Sequence, residues 1–229
     1  QTVTIRRDLP TVLIGERINP TGRKDLQRAL EAGNFDNVRS DAVAQADAGA
    51  TILDVNAGLA GGDEPALLKE AVAAVMGICK LPLCSDTADP AALAAALEVY
   101  EGKALINSVN GETRSLEQML PLVKEHGAAV IGLCMDNEGI PPTPEKRLAV
   151  ADKIIERAGK MGIGPEDIVI DPLVLTIGAD STAGRITLET VGLIVEKFGV
   201  NITMGASNVS FGLPDRTMIN AAFLAMAIH

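Results

Sequence analysis

The sequence predicts an α/β chain folded as a parallel β/α barrel, on three observations. Short apolar runs alternate regularly with longer amphipathic segments. The apolar runs are continuous, which suits strands buried on both faces, as in parallel sheets. Seven such strand-helix units within 229 residues imply right-handed crossovers and favour a closed sheet in one domain.

The strands are read in order as Thr11-Val-Leu-Ile-Gly15, Thr51-Ile-Leu-Asp-Val55, Pro82-Leu-Cys-Ser-Asp86, Ala104-Leu-Ile-Asn107, Ala128-Ala-Val-Ile-Gly-Leu-Cys134, Asp167-Ile-Val-Ile-Asp171 and Asn201-Ile-Thr-Met-Gly205. Helix starts are marked by Asp63 before Glu64-Pro65, by Asp89 before Pro90, and by Thr143 before Pro144-Glu145, since these side chains accept from first-turn N–H groups and proline fits there. Ser115 with Gln118 reads as a capping box. In the longest helix Leu148, Ala151, Ile155 and Ala158 share a face. Gly127, Gly162 and Gly199 follow helices as C-caps.

A (β/α)8 TIM barrel needs one more strand and helix. The chain reaches His229 inside or just after the seventh helix. The last β/α unit is thus expected to be missing from this chain by truncation, because an open barrel would expose the edge of strand one. With no linker or low-complexity segment, residues 1–229 are expected to form a single domain.

Composition narrows function. The chain is 47% hydrophobic, yet no apolar run approaches the roughly 20 residues of a membrane span, and no signal peptide is legible. Three cysteines without CxxC spacing point to a reducing cytoplasm. A net charge of −10 and 2% aromatics argue against nucleic-acid binding, which needs a basic face and stacking platforms.

In β/α barrels chemistry sits at the C-terminal strand ends. There the chain places Asn19, Asn56, Asp86, Asn107, Asp136, Asp171, Ser207 and Asn208, with Gly205 beside the last two. No His, Cys pair or Lys ends a strand, so metal and Schiff-base chemistry are disfavoured. Asp86, Asn107, Asp171 and Asn208 together suit a heterocycle with amino and lactam edges, such as a pterin or purine. An anion nest at Gly205–Ser207 keeps a sugar phosphate as a rival. Capping for the aspartates and turn formation for the asparagines are the structural alternatives. Arg6, Arg7, Arg17, Arg23 and Lys24 read as a solvated face.

At these residues the sequence resembles the pterin-binding methyltransferases, which include methyltetrahydrofolate:corrinoid protein methyltransferases and the folate domain of cobalamin-dependent methionine synthase. The motifs are Ile14-Gly-Glu-Arg-Ile-Asn-Pro-Thr-Gly22, Asp54-Val-Asn-Ala-Gly58, Ser85-Asp-Thr87, Ile106-Asn-Ser108, Ile170-Asp-Pro-Leu173 and Ser207-Asn-Val-Ser210. Their order and spacing carry the resemblance from about Leu13 to Met226.

The resemblance implies a methyltransferase that moves a methyl group between N5 of 5-methyltetrahydrofolate and the cobalt of a corrinoid. The chain lacks the Asp-x-His-x-x-Gly pattern of a corrinoid carrier, so the corrinoid is expected on a partner protein. Asp86, Asn107 and Asp171 match the residues that hold the pterin, and Asn208 matches the asparagine facing N5, the expected catalytic residue. Gly205 and Ser207 are expected to line the same pterin site, with no metal. A homodimer is expected. The alternatives are a dihydropteroate synthase-like pterin enzyme and a non-catalytic folate-binding module. Against the synthase, Ala57-Gly-Leu-Ala-Gly-Gly62 and Ser207-Asn-Val-Ser210 stand where those enzymes carry Ser-Thr-Arg-Pro-Gly and Ser-x-Lys.

Overall fold

The computed structural model describes residues 1–229. Strands and helices alternate as β1 (Ile14–Ile18), α1 (Lys24–Glu31), α2 (Asp36–Asp47), β2 (Ile52–Val55), α3 (Glu64–Met76), β3 (Leu83–Asp86), α4 (Pro90–Val99), β4 (Leu105–Asn110), α5 (Thr113–Glu125), β5 (Ala129–Leu133), α6 (Pro144–Lys160), β6 (Ile168–Asp171), α7 (Ala183–Phe198), β7 (Asn201–Ile202) and α8 (Arg216–Ile228). The seven strands lie in chain order, β1 to β7. No helix is long and apolar enough to cross a membrane. The chain forms two compact units, one of Gln1–Ser108 with Gln118–Val130, the other of Val109–Glu117 with Ile131–His229.

In the first unit β1 pairs with β2, β2 with β3 and β3 with β4, all parallel. Leu53, Val55 and Leu83 from the strands meet Leu68, Val72 and Val75 of α3 and Ala92 and Ala96 of α4 in one buried cluster. α4 packs on α3, burying Leu93 and Leu97 as well as Ala92 and Ala96. Both predicted caps form. Asp63 accepts from the Ala66 N–H at 3.2 Å and Asp89 from the Ala91 N–H at 2.8 Å, each worth about 1 kcal/mol. The N-terminal basic cluster is largely neutralised by its own neighbours: Arg6 pairs with Asp8, and Arg17 and Arg23 with Asp41.

In the second unit β6 pairs parallel with β7, and the Cys134 N–H donates to the Asp171 carbonyl at 2.9 Å. Helix α6 packs on α7, and Thr143 caps α6 by accepting from Lys146 N–H. Phe223 of α8 closes a smaller cluster with Val174 and Val209.

Four local expectations are corrected. β1 begins three residues later than predicted and runs through Glu16 and Arg17, which are exposed; as the end strand of the sheet it tolerates charge. β7 covers only Asn201–Ile202. The Thr203 N–H still donates to Ile170, but the chain then turns into a 3-10 segment over Ala206–Ser210. Ser115 is not an N-cap, since α5 begins at Thr113; its hydroxyl instead accepts from the Asn110 N–H at 3.1 Å. The α6 face is rotated: Ala151 and Ala158 are buried as expected, but Arg147, Val150 and Ile154 take the places given to Leu148 and Ile155, which are half-buried. The three helix-ending glycines hold, with φ of 58° at Gly127, 75° at Gly162 and 65° at Gly199.

Candidate functional site

Strand register assembles the first unit's cluster. Asp54 lies opposite Cys84, and Asp86 opposite Asn107. Parallel neighbours at paired positions share a sheet face, and side chains recur on that face every second residue. Asp54, Cys84, Asp86 and Asn107 therefore project to one side, with Asn56 two residues beyond Asp54.

Each carboxylate accepts from one amide of another chain segment. Asn107 Nδ2 donates to Asp54 Oδ1 at 3.1 Å, and Asn56 Nδ2 donates to Asp86 Oδ2 at 3.0 Å. Asn56 is itself oriented, because its Oδ1 accepts from the Gly58 N–H at 2.9 Å. The next residue, Thr87, donates its hydroxyl to Glu64 at the start of α3 and accepts from the Asp89 N–H, which ties the Asp86 strand end to two helices.

Asp54 is 4% exposed. Burial first, and then the neighbouring Asp86 charge, push its carboxyl up to about 7. Burial also raises Asp86, opposed by hydrogen bonds from Asn56 and Asp54, with the Glu64 and Glu16 charges pushing the same way as burial. Two close carboxylates cannot both ionise cheaply. Both are pushed toward the protonated form, and a protonated Asp54 donates to Asp86. The fully buried Cys84 thiol donates to Asp54, and burial raises it well above the ordinary thiol range. The cluster offers carboxylate acceptors, amides of both polarities and a carboxyl that can hold a proton, the complement of a heterocycle bearing amino and lactam groups.

In the second unit Asp171 ends β6, half-buried, and its Oδ1 accepts from the Leu173 N–H at 2.8 Å. Leu173 has φ of 63°, a left-handed conformation that costs a non-glycine residue about 1–2 kcal/mol. Gly205, Ser207 and Asn208 lie together at the 3-10 turn. Asn208 is exposed and its amide lies over Gly205, where a Cβ would stand only 2.9 Å from Asn208 Nδ2. A side chain at Gly205 would therefore push this amide aside. Arg216 holds the turn from below, donating to the Ser207 carbonyl at 2.9 Å and to Ser210 Oγ at 3.1 Å; Ser210 in turn donates to Asn220 Oδ1 at 2.6 Å.

The structure thus brings Asp86 and Asn107 together in the first unit and groups Gly205, Ser207 and Asn208 in the second, where Asp171 also lies. Sequence reasoning placed Asn56 at a strand end and Asp54 in a motif, but assigned neither a role in the site. A carboxylate inside the apolar run Ile52–Val55 was the available signal. It also missed Arg147, fully buried behind the Asp171 turn, for which no local signal exists.

A family model for pterin binding enzymes matches residues 15–229. A methylcorrinoid:tetrahydrofolate methyltransferase of Eubacterium limosum is 34% identical over 223 residues, covering 95% of this chain and 81% of that protein. A methionine synthase of Mycobacterium tuberculosis is 32% identical over 97% of this chain, which spans 20% of that larger protein. Among solved structures, dihydropteroate synthase of Xanthomonas albilineans in complex with 7,8-dihydropteroate superposes with a TM-score of 0.70 at 18% identity, covering 98% of this chain and 86% of that one. The Yersinia pestis synthase gives 0.65 at 18% identity, covering 97% and 83%. These last two likenesses establish a shared fold, the strand-helix alternation of a TIM-barrel-like protein. A match over nearly the whole length, with a relative at 34% identity, places the chain in the pterin binding enzyme family.

Proposed function

We propose that this chain is a methyltransferase that moves a methyl group between N5 of 5-methyltetrahydrofolate and the cobalt of a corrinoid carried by a partner protein. The observation that carries the reading is the 34% identity, over 95% of the chain, with a methyltransferase whose two named substrates are a methylcorrinoid and tetrahydrofolate. The likeness to dihydropteroate synthases speaks to the fold alone, and no lysine stands in Ser207-Asn-Val-Ser210.

The residues present suit the pterin. Its amino group and ring N–H need acceptors, which Asp86 and Asp171 supply, while Asn107 adds a donor and an acceptor. Asn208 is the residue assigned to N5. An amide cannot deliver a net proton, but it stabilises the change of charge on N5 as the methyl bond breaks or forms. Gly205 lets that amide lie flat, and Ser207 anchors the turn through its carbonyl. The acid we assign to the site is Asp54, whose carboxyl is raised to about 7 beside Asp86. The corrinoid, as the second substrate, supplies a cobalt centre that exchanges the methyl group.

A single TIM-barrel-like pterin-binding domain is the assignment we make for residues 1–229. Three free cysteines suit a reducing cytoplasm, and a homodimer is the assembly we expect. The test is spectral. Protein, methyltetrahydrofolate and Co(I) cobalamin should give methylcobalamin, or methylcobalamin and tetrahydrofolate should give the reverse change. Absence of both, with dihydropteroate formed from a pterin pyrophosphate and 4-aminobenzoate, would overturn the assignment.

A further inference from the structure

Arg147 is 1% exposed, and three backbone carbonyls accept from its guanidinium. Nε donates to the Pro141 carbonyl at 2.9 Å, and Nη1 donates to the Pro172 and Leu173 carbonyls at 2.9 and 2.8 Å. Burial lowers its pKa, opposed by the charges of Cys134 and Asp171. Burying a cation is an expensive way to fill a core, and an apolar side chain of equal length would pack the same space at less cost. The cost has a local counterpart in what the carbonyls belong to. Pro172 and Leu173 are the two residues directly after Asp171, and Leu173 is held left-handed at φ 63°. That conformation is what lets the Leu173 N–H turn back onto Asp171 Oδ1.

We infer that Arg147 is a positioning residue for Asp171. By pinning both carbonyls it holds the Pro172-Leu173 turn, and the turn fixes Asp171 through its Oδ1. The geometry needs a planar fork with several fixed donors. Lysine keeps the charge but has a single nitrogen, which cannot hold Pro141 on one side and the Asp171 turn on the other. The inference rests on the reading that Asp171 holds the pterin. It adds a distal residue, one helix away, that sets the carboxylate's orientation.

The test is a double-mutant cycle on the full chain, read by titration with tetrahydrofolate. Asp171→Asn and Arg147→Met are each expected to weaken binding about tenfold, and Arg147→Lys by less. In the Asp171→Asn background, Arg147→Met should cost less than about threefold further, since residues acting through one another are not additive. The same cycle with Arg147→Lys decides the matter if the methionine variant does not fold. Hydrogen exchange at the Leu173 amide supplies a readout independent of folate: either Arg147 variant should speed it at least tenfold while β6 stays protected. A wild-type chain that binds no tetrahydrofolate sinks the pterin reading and leaves the exchange readout to judge Arg147. Full additivity of the two substitutions, or unchanged Leu173 exchange, overturns the inference.

Discussion

Replacing Asp54 with asparagine should remove a pH dependence of stability that most carboxylates do not show. In the folded chain the Asp54 carboxyl titrates at about 7, against 3.8 for the ordinary group. The folded state therefore keeps a proton between those values that the unfolded chain has released. Where the folded state binds more protons, stability falls as pH rises. The contribution is most favourable below about pH 4 and is lost progressively up to about pH 7. Each pKa unit corresponds to about 1.4 kcal/mol, so a shift of about three units amounts to about 4 kcal/mol. Because Asp86 interacts with it, the pair titrates as one system, and about 2 kcal/mol is a fair lower figure. Asparagine mimics the protonated acid: its oxygen still accepts from Asn107, and its amide donates to Asp86. Urea denaturation of both proteins at pH 5 and pH 8 isolates the effect. From pH 5 only about two of the three units are crossed, so the stability of Asp54→Asn relative to wild type should improve by about 2–3 kcal/mol between the two pH values. A relative stability that is flat, or that worsens at pH 8, would show that no proton is held at Asp54.

The remaining predictions concern the 3-10 turn. Asn208→Ala should slow methyl transfer by about a hundredfold or more, the scale of losing one preorganised donor, while tetrahydrofolate affinity changes by less than about threefold. Equal losses in rate and binding, or no loss of rate, would remove Asn208 from the chemistry. Gly205→Ala places a Cβ 2.9 Å from Asn208 Nδ2 and should displace that amide. Transfer should fall about tenfold, and Gly205→Ala added to Asn208→Ala should cost little more than Asn208→Ala alone; an additive loss would refute the contact as the cause.

The strand-helix alternation was legible because it rests on local composition. Apolar runs bounded by turns located β2, β3, β5 and β6 to within a residue or so, and short-range caps at Asp63 and Asp89 set α3 and α4. Elements without such contrast were not found. α2 buries only Val38 and Ala42 along twelve residues, so its pattern is faint. β1 was misplaced because Leu13, the centre of its apolar run, is 53% exposed, whereas the charged Glu16 and Arg17 belong to the strand.

The two buried charged residues that sequence reading passed over differ in kind. Asp54 was visible, since a carboxylate amid Ile52, Leu53 and Val55 must either lie at an edge or find polar company inside. What the sequence withholds is the company. Cys84, Asp86 and Asn107 lie about 30 to 50 residues away and meet Asp54 only through the register of three strands, a choice made by the whole sheet. Arg147 was not visible at all, because an arginine on an amphipathic helix ordinarily faces water. Its burial depends on three carbonyls converging from two separate turns, one of them carrying Leu173 in a left-handed conformation. The strain at Leu173 and the desolvation of Arg147 each look unfavourable alone, yet each removes the other's penalty: the turn supplies acceptors to a buried cation, and the cation holds the turn. Such reciprocal compensation leaves no trace in local pattern, and it lies immediately behind the carboxylate assigned to the pterin.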